Sequence, residues 1–82
     1  MQEMDTVEVI VEKERYAKEG VHKGMQGWIC YPEKSDDYWL INFPQYGEKD
    51  DIATTSIKES DLKQIPSMDA RINEKIRESF GE

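Results

Sequence analysis

The sequence contains one cysteine, Cys30, and one histidine, His22, in 82 residues. A single cysteine cannot form a disulfide within the chain, so a disulfide-stabilised scaffold is excluded and a reducing compartment is favoured. Neither residue has neighbours at metal-ligand spacing, and we predict no metal site and no cofactor. A Cys30–His22 nucleophilic pair would also need an orienting group. The sequence therefore predicts a protein without catalytic residues.

Long apolar runs are also missing. No stretch approaches the roughly 18 apolar residues of a membrane-spanning helix. The first five residues, Met1 to Asp5, are acidic and carry no apolar segment, which is unlike a signal peptide. We expect a cytoplasmic protein without a membrane partner.

Basic residues are few: 11 Lys and Arg stand against 18 Asp and Glu, for a net charge of −7. Nucleic-acid affinity depends on Lys and Arg that displace counterions from phosphates, so the charge argues against a nucleic-acid partner. An acidic surface instead attracts a basic protein and speeds the encounter. The alternative, that the acidity serves only solubility, stays open.

Alternating apolar residues predict the strands. Val7, Val9 and Val11 share one face of a strand over residues 6–12. A polar excursion follows, over residues 13–23, in which Tyr16 and Val21 are the expected anchors. Further strands are predicted over residues 28–31, 38–43, 52–57 and 62–65, with a tight helical turn over residues 58–61.

The C-terminal segment changes to a helical period. Its apolar residues recur every four positions, at Met68, Ile72, Ile76 and Phe80, and predict an amphipathic helix over residues 68–80. Ser67 is the expected N-cap and Gly81 suits the C′ position. The predicted organisation is a β domain over residues 1–66 and a helix within residues 67–82.

The strand over residues 38–43 carries apolar groups on both faces. We assign the interior to Ile29, Trp39, Ile41 and Phe43 with the three valines. That assignment leaves Trp28, Tyr38 and Leu40 on the outer face, where an apolar cluster needs a cover. The C-terminal helix is the favoured cover because short isolated helices need packing; a partner protein or a second copy is the alternative, so the chain is a monomer or a homodimer.

Two sets of residues are candidates for partner binding. One is aromatic and apolar, and the other is acidic and lies in the loops that flank the strand over residues 38–43. If those loops lie close together, they form a negative rim beside aromatic anchors, whereas core packing and solvated turns are the plainer interpretations. The predicted binding residues are Trp28, Tyr38, Leu40, Tyr46, Asp36, Asp37, Glu48, Asp50 and Asp51.

From Val7 to Leu62 the chain resembles the small SH3-like barrels. The resemblance rests on the first strand, on Lys23-Gly24-Met25-Gln26-Gly27 before an apolar strand, and on Glu59-Ser60-Asp61-Leu62 before the last strand. The lysine–glycine step is similar to KOW-type barrels and to short bacterial single-domain barrels, some of which occur in toxin–immunity contexts. The resemblance implies a mainly β fold, a five-stranded SH3-like barrel followed by a C-terminal amphipathic helix.

The chain departs from two of these relatives. KOW domains that bind RNA are typically basic, and the first loop has only Tyr16 where polyproline-binding SH3 domains carry an aromatic patch. We therefore predict a non-catalytic immunity or inhibitor protein that occludes a basic partner such as a nuclease toxin. The alternatives are an accessory subunit of a larger complex and a KOW-like module associated with nucleic acid or the ribosome.

Overall fold

The computed structural model describes residues 1–47 and 50–81. Five antiparallel strands form one sheet in the order β4-β3-β2-β1-β5, so β4 and β5 are its edges. The strands are β1 (Thr6–Val9), β2 (Gln26–Ile29), β3 (Tyr38–Phe43), β4 (Ala53–Lys58) and β5 (Leu62–Ile65). A short helix α1 (Glu14–Ala17) lies in the β1–β2 connection, a 3-10 turn (Glu59–Asp61) joins β4 to β5, and helix α2 (Ala70–Ser79) follows. The mainly β fold with a C-terminal helix is as predicted.

The predicted strand bounds are most accurate where a proline follows the strand. Strands β3 and β5 have the predicted bounds, and β3 ends immediately before Pro44. Strand β2 begins two residues earlier than predicted, because the chain already pairs with β1 there: the Val9 N–H donates to the Met25 carbonyl at 2.9 Å. Helix α1 was not predicted.

The apolar core lies on one face of the sheet. The predicted interior residues Ile29, Trp39, Ile41 and Phe43 are all buried, as are Val7 and Val9, whereas Val11 is half-buried. The core is completed by Tyr16, Val21, Met25, Ile57 and Leu62. Tyr16 and Val21 are 1% and 0% exposed, which confirms them as the anchors of the β1–β2 connection.

A buried carboxylate fastens this connection to the 3-10 turn. Asp61 Oδ2 accepts hydrogen bonds from Lys13 Nζ and from the Tyr16 hydroxyl, each at 2.7 Å. The Tyr16 oxygen in turn accepts the Lys58 N–H at 3.1 Å. Burial by itself would raise the pKa of Asp61, but the hydrogen bonds from Lys13 and Tyr16 outweigh it and lower that pKa.

Helix α2 is attached to the sheet by a buried asparagine. In the β2–β3 ladder Trp28 pairs with Asn42, so the next hydrogen-bonded position of β2 is Gln26, opposite Pro44. Pro44 has no N–H to donate. The Asn73 carboxamide takes its place: Oδ1 accepts the Gln26 N–H at 2.7 Å, and Nδ2 donates to the carbonyls of Gln26 at 2.8 Å and Pro44 at 3.0 Å. A side chain thus continues the strand ladder where the backbone cannot.

Helix α2 is shorter than predicted, by two residues at its N-terminus and by one at its C-terminus. The N-cap is Asp69 and not Ser67, because the Asp69 side chain accepts the Arg71 N–H at 3.0 Å. Gly81 follows the last helical turn with φ +76°, as expected of a C′ glycine.

The expected cover of the outer face is only partly right. Helix α2 packs on the same chain, but over the start of β2 and the end of the β1–β2 connection. The Asp69 N–H donates to Gln26 Oε1 at 2.8 Å, and the Phe80 ring stacks on His22 with ring centroids 3.7 Å apart. Its most buried residue is the polar Asn73, 0% exposed, whereas Phe80 of the predicted stripe is 51% exposed. Trp28, Tyr38 and Leu40 remain half-buried.

Candidate protein-binding surface

Strand alternation places Trp28, Tyr38 and Leu40 together on the outer face of the sheet. Trp28 lies opposite Thr6 of β1 and Asn42 of β3, and Leu40 lies two residues from Asn42 on the same face of β3. Beyond the end of β2, the Cys30 N–H donates to the Leu40 carbonyl at 3.0 Å. Trp28 and Leu40, each half-buried, form with the half-buried Cys30 the apolar centre of this face, which we call the outer patch.

The two tryptophans differ in their polar contacts. Trp39, on the inner face, is 6% exposed and donates its indole N–H to Glu59 Oε1 at 2.9 Å. Among residues 1–47 and 50–81, no acceptor lies within hydrogen-bonding distance of the Trp28 indole N–H. Trp28 therefore offers both an apolar ring and an unused donor to whatever approaches the outer patch.

Three carboxylates lie near the outer patch. Asp51 Oδ2 accepts a hydrogen bond from Asn42 Nδ2 at 2.7 Å, which holds its charge beside the cross-strand neighbour of Trp28. Glu8 lies on the same face, 3.4 Å from the side-chain amide of Gln26. Burial raises the pKa of the Cys30 thiol, and the nearby Glu3 carboxylate adds to that rise. An apolar centre with Glu3, Glu8 and Asp51 around it is complementary to an apolar group flanked by cations.

The two predicted acidic pairs do not form one rim. Asp36 and Asp37 precede β3, whereas Asp50 and Asp51 lie in the connection that follows it. The six residues of β3 separate the pairs by about 20 Å at the usual strand rise. The first pair has left-handed φ angles of 51° and 68°, and the Asp37 carbonyl accepts the Glu59 N–H at 2.7 Å. Of the two pairs, only Asp51 reaches the outer face near Trp28, through its hydrogen bond to Asn42, which lies opposite Trp28.

The predicted tyrosines also lie apart. The Tyr38 hydroxyl accepts a hydrogen bond from Arg15 at 2.7 Å, and the Arg15 guanidinium lies 4.9 Å from the Tyr38 ring centroid. Tyr46 is 58% exposed and lies 5.7 Å from the guanidinium of Arg71, at the α2 side of the molecule. Tyr38 thus lies next to the outer patch, in contact with Arg15, and Tyr46 belongs to a different surface. Glu48, the remaining predicted residue, lies outside the described residues.

The sequence did not reveal that Glu8 lies beside Gln26 or that Glu3 lies near Cys30. Their placement depends on the register of β1 against β2, in which Thr6 lies opposite Trp28. Alternation indicates which residues of one strand share a face, but not which residue of the next strand lies alongside.

Within residues 1–47 and 50–81, no three His, Cys, Asp or Glu side chains are grouped to hold a metal ion. Over the same residues, no helix has the length and apolarity needed to cross a bilayer. Comparison with protein-family models, curated proteins and solved structures finds no match to this chain.

Proposed function

We propose that the chain is a non-catalytic binding protein whose outer patch engages a basic partner protein. The observation that carries the proposal is Trp28, a half-buried ring whose indole N–H has no acceptor among the described residues. Carboxylates lie at its neighbours: Asp51 on Asn42, Glu8 on Gln26 and Glu3 near Cys30. Tryptophan is among the residues that most often dominate the energetics of protein interfaces. A rim of one charge, on a chain of net charge −7, increases the rate at which an oppositely charged partner is captured.

In this proposal the protein acts as an inhibitor of the immunity type, by covering the functional surface of a basic enzyme such as a nuclease toxin. The carboxylates steer the partner, and Trp28 and Leu40 bury the central apolar contact. No bond of the partner is broken or formed. Asp51 is the member of the predicted acidic set that belongs to this surface.

The proposal includes a finer description of the fold and its location. We propose that the sheet curves into an SH3-like barrel, which is supported by the strand order, by the 3-10 turn between the edge strands and by the single core on the inner face. A cytoplasmic location is supported by the half-buried thiol of Cys30, the chain's one cysteine.

The test compares charge-matched variants in affinity capture from lysate of the source organism. The tagged wild-type protein is expected to retain a basic protein at low salt and to release it at about 0.5 M salt, where the Debye length is only a few ångströms. Trp28→Ala and the double variant Glu8→Lys Asp51→Lys are expected to lose that protein. The double variant Asp36→Lys Asp37→Lys carries the same change in net charge at the other end of β3 and is the matched control.

Three results would overturn the proposal. Equal loss with both double variants would mean that net charge and not the outer patch carries the binding. Capture of a large, salt-resistant assembly that Trp28→Ala does not affect would favour an accessory subunit, and captured RNA would favour a nucleic-acid module.

A further inference from the structure

The open edge of β4 has backbone groups that the sheet does not use. In the β3–β4 ladder the Glu59 N–H donates to the Asp37 carbonyl, and the register pairs Trp39 with Ile57 and Ile41 with Thr55. Hydrogen-bonded pairs alternate in an antiparallel ladder, so the odd-numbered residues of β4 face β3. The N–H and C=O groups of Thr54, Ser56 and Lys58 therefore point away from the sheet.

Of these outward groups, one N–H is satisfied. The Lys58 N–H donates to the Tyr16 hydroxyl at 3.1 Å, which closes the edge at the α1 end. Within the described residues the N–H groups of Thr54 and Ser56 have no acceptor. Two residues of strand edge are left open, and such an edge is a template for a further strand.

The open edge forms one wall of a groove, and helix α1 forms the other. The groove has a volume of about 470 Å³ and is lined by Arg15, Tyr16, Lys18, Glu19, Thr55 and Ser56. A concave site beside a strand edge can hold a single extended chain, because the added strand lies about 4.8 Å from β4 and is contacted by α1 on its other side.

The charge of the groove selects the ligand. Arg15 and Lys18 have no carboxylate within ion-pair distance in the part of the chain that the structure describes, although the chain carries 18 acidic residues. Arg15 instead contacts the Tyr38 hydroxyl. Glu19 is the one acidic residue that lines the groove. Two unpaired cations beside an open edge favour an extended segment that carries carboxylates.

We propose that this groove binds an extended acidic peptide, which pairs with Thr54 and Ser56 as a sixth strand and directs a carboxylate to Arg15 and Lys18. A second copy of the chain fits less well, because its β4 strand carries no acidic residue and would bring a second Lys58 and a second α1 to the interface. This groove adjoins the outer patch, because Ser56 lies opposite Leu40 in the β3–β4 ladder. The proposal rests on the open edge and the two cations, and it does not depend on the one made above.

The test uses a defined probe and a variant that removes one edge donor. The probe is a β-prone heptapeptide of alternating valine and glutamate, titrated into the 15N-labelled protein, with a valine–lysine peptide as its charge-reversed counterpart. Ser56→Pro deletes the outward N–H without touching the ladder to β3, since proline is tolerated where the N–H faces outward on an edge strand. Gln64→Pro makes the same change on the other edge strand, where the Gln64 N–H points away from β1, and is the matched control.

The glutamate peptide is expected to shift the amide signals of Thr54 and Ser56 saturably, and the lysine peptide is not. Ser56→Pro should weaken binding about five- to tenfold, as expected for the loss of one backbone hydrogen bond, and Gln64→Pro should leave it unchanged. Replacing both Arg15 and Lys18 by glutamine should weaken binding of the glutamate peptide further.

Three outcomes would overturn the proposal. The first is the absence of shifts at Thr54 and Ser56 at millimolar peptide, and the second is equal binding of the two peptides. The third is a concentration-dependent dimer in sedimentation that Ser56→Pro abolishes, which would assign the edge to a second copy. The comparison of the two peptides on the wild-type protein stands even if Ser56→Pro fails to fold.

Discussion

Replacing Asn73 should destabilise the protein more than any other change on α2. Asn73→Ala removes the acceptor of the Gln26 N–H and the donor to two carbonyls, those of Gln26 and Pro44. A buried polar group left without a partner costs about 1–3 kcal/mol, and a carbonyl costs less when water reaches its second lone pair. We expect a loss of about 3–4 kcal/mol, a large share of the roughly 5–15 kcal/mol typical of a domain.

The assay is urea denaturation followed by circular dichroism, with Ser79→Ala as the control on an exposed position of the same helix. Asn73→Asp distinguishes the hydrogen bond that the Asn73 side chain accepts from the two that it donates. The aspartate keeps an acceptor for the Gln26 N–H but directs a second oxygen at the two carbonyls, so it should be at least as destabilising as alanine at pH 7. It should recover partly at low pH, where a protonated carboxyl can donate one hydrogen bond.

The reasoning would be refuted if Asn73→Ala cost no more than Ser79→Ala. Hydrogen exchange gives a second readout at one atom. The Gln26 amide should exchange much faster in Asn73→Ala, whereas amides at the β1–β5 pairing should change only as much as global stability does. Unchanged protection of Gln26 would mean that another group replaces the carboxamide.

Three further predictions concern other parts of the sheet. The pKa of Asp61 is lower in the folded state than its ordinary value of 3.8. Its carboxylate therefore stabilises the fold above pH 3.8, and this stabilisation is lost as the pH falls through the folded-state pKa. Asp61→Asn should accordingly reduce the loss of unfolding free energy between about pH 6 and pH 2, which we call the acid limb. Gly27→Ala should cost about 2–3 kcal/mol in urea denaturation by overpacking, because a Cβ there would lie 2.3 Å from the Asn42 carbonyl oxygen. Trp39→Ala should lower the free energy of unfolding by about 3–5 kcal/mol, because it leaves a cavity in the core. Trp28→Ala should lower it far less, because Trp28 lies on the outer face; thermal or urea unfolding measures both.

Each of these has a control and a contrary result. Asp36→Asn, at an exposed carboxylate, is the control for Asp61→Asn, and an unchanged acid limb in Asp61→Asn would contradict the role of the buried carboxylate. Ser79→Ala, at an exposed position, is the control for Gly27→Ala, and equal stability of the two variants would contradict the close approach to Asn42. Equal destabilisation by the two tryptophan variants would place Trp28 in the core and remove it from the proposed binding surface.

The strands were predictable because their information is local. Alternation and the following proline defined Tyr38–Phe43, and the apolar positions of that strand separated correctly into the buried Trp39, Ile41 and Phe43 and the half-buried Tyr38 and Leu40. The helical period likewise located α2. These patterns depend only on neighbours in the chain.

The attachment of α2 to the sheet could not be predicted, because it depends on residues that are far apart in the chain. Its apolar stripe indicated hydrophobic docking, but the buried contact is the carboxamide of Asn73, 47 residues away from Gln26. The need for that contact arises from a missing donor at Pro44, on a third segment. The prediction of one acidic rim was wrong for a similar reason. Which loops lie close together depends on the strand order, and in a meander the loops before and after β3 lie at its opposite ends.

The carboxamide of Asn73 also makes the order of synthesis matter. Gln26 and Pro44 are made well before α2, and until the helix arrives one end of the β2–β3 ladder has an unsatisfied N–H and two free carbonyls in a region that the finished fold buries. A chain interrupted before residue 70 would therefore possess all five strands and still lack the group that closes their hydrogen bonding. We therefore expect a chain truncated before α2 to have a less stable sheet than the full chain, and such products are degraded faster in cells.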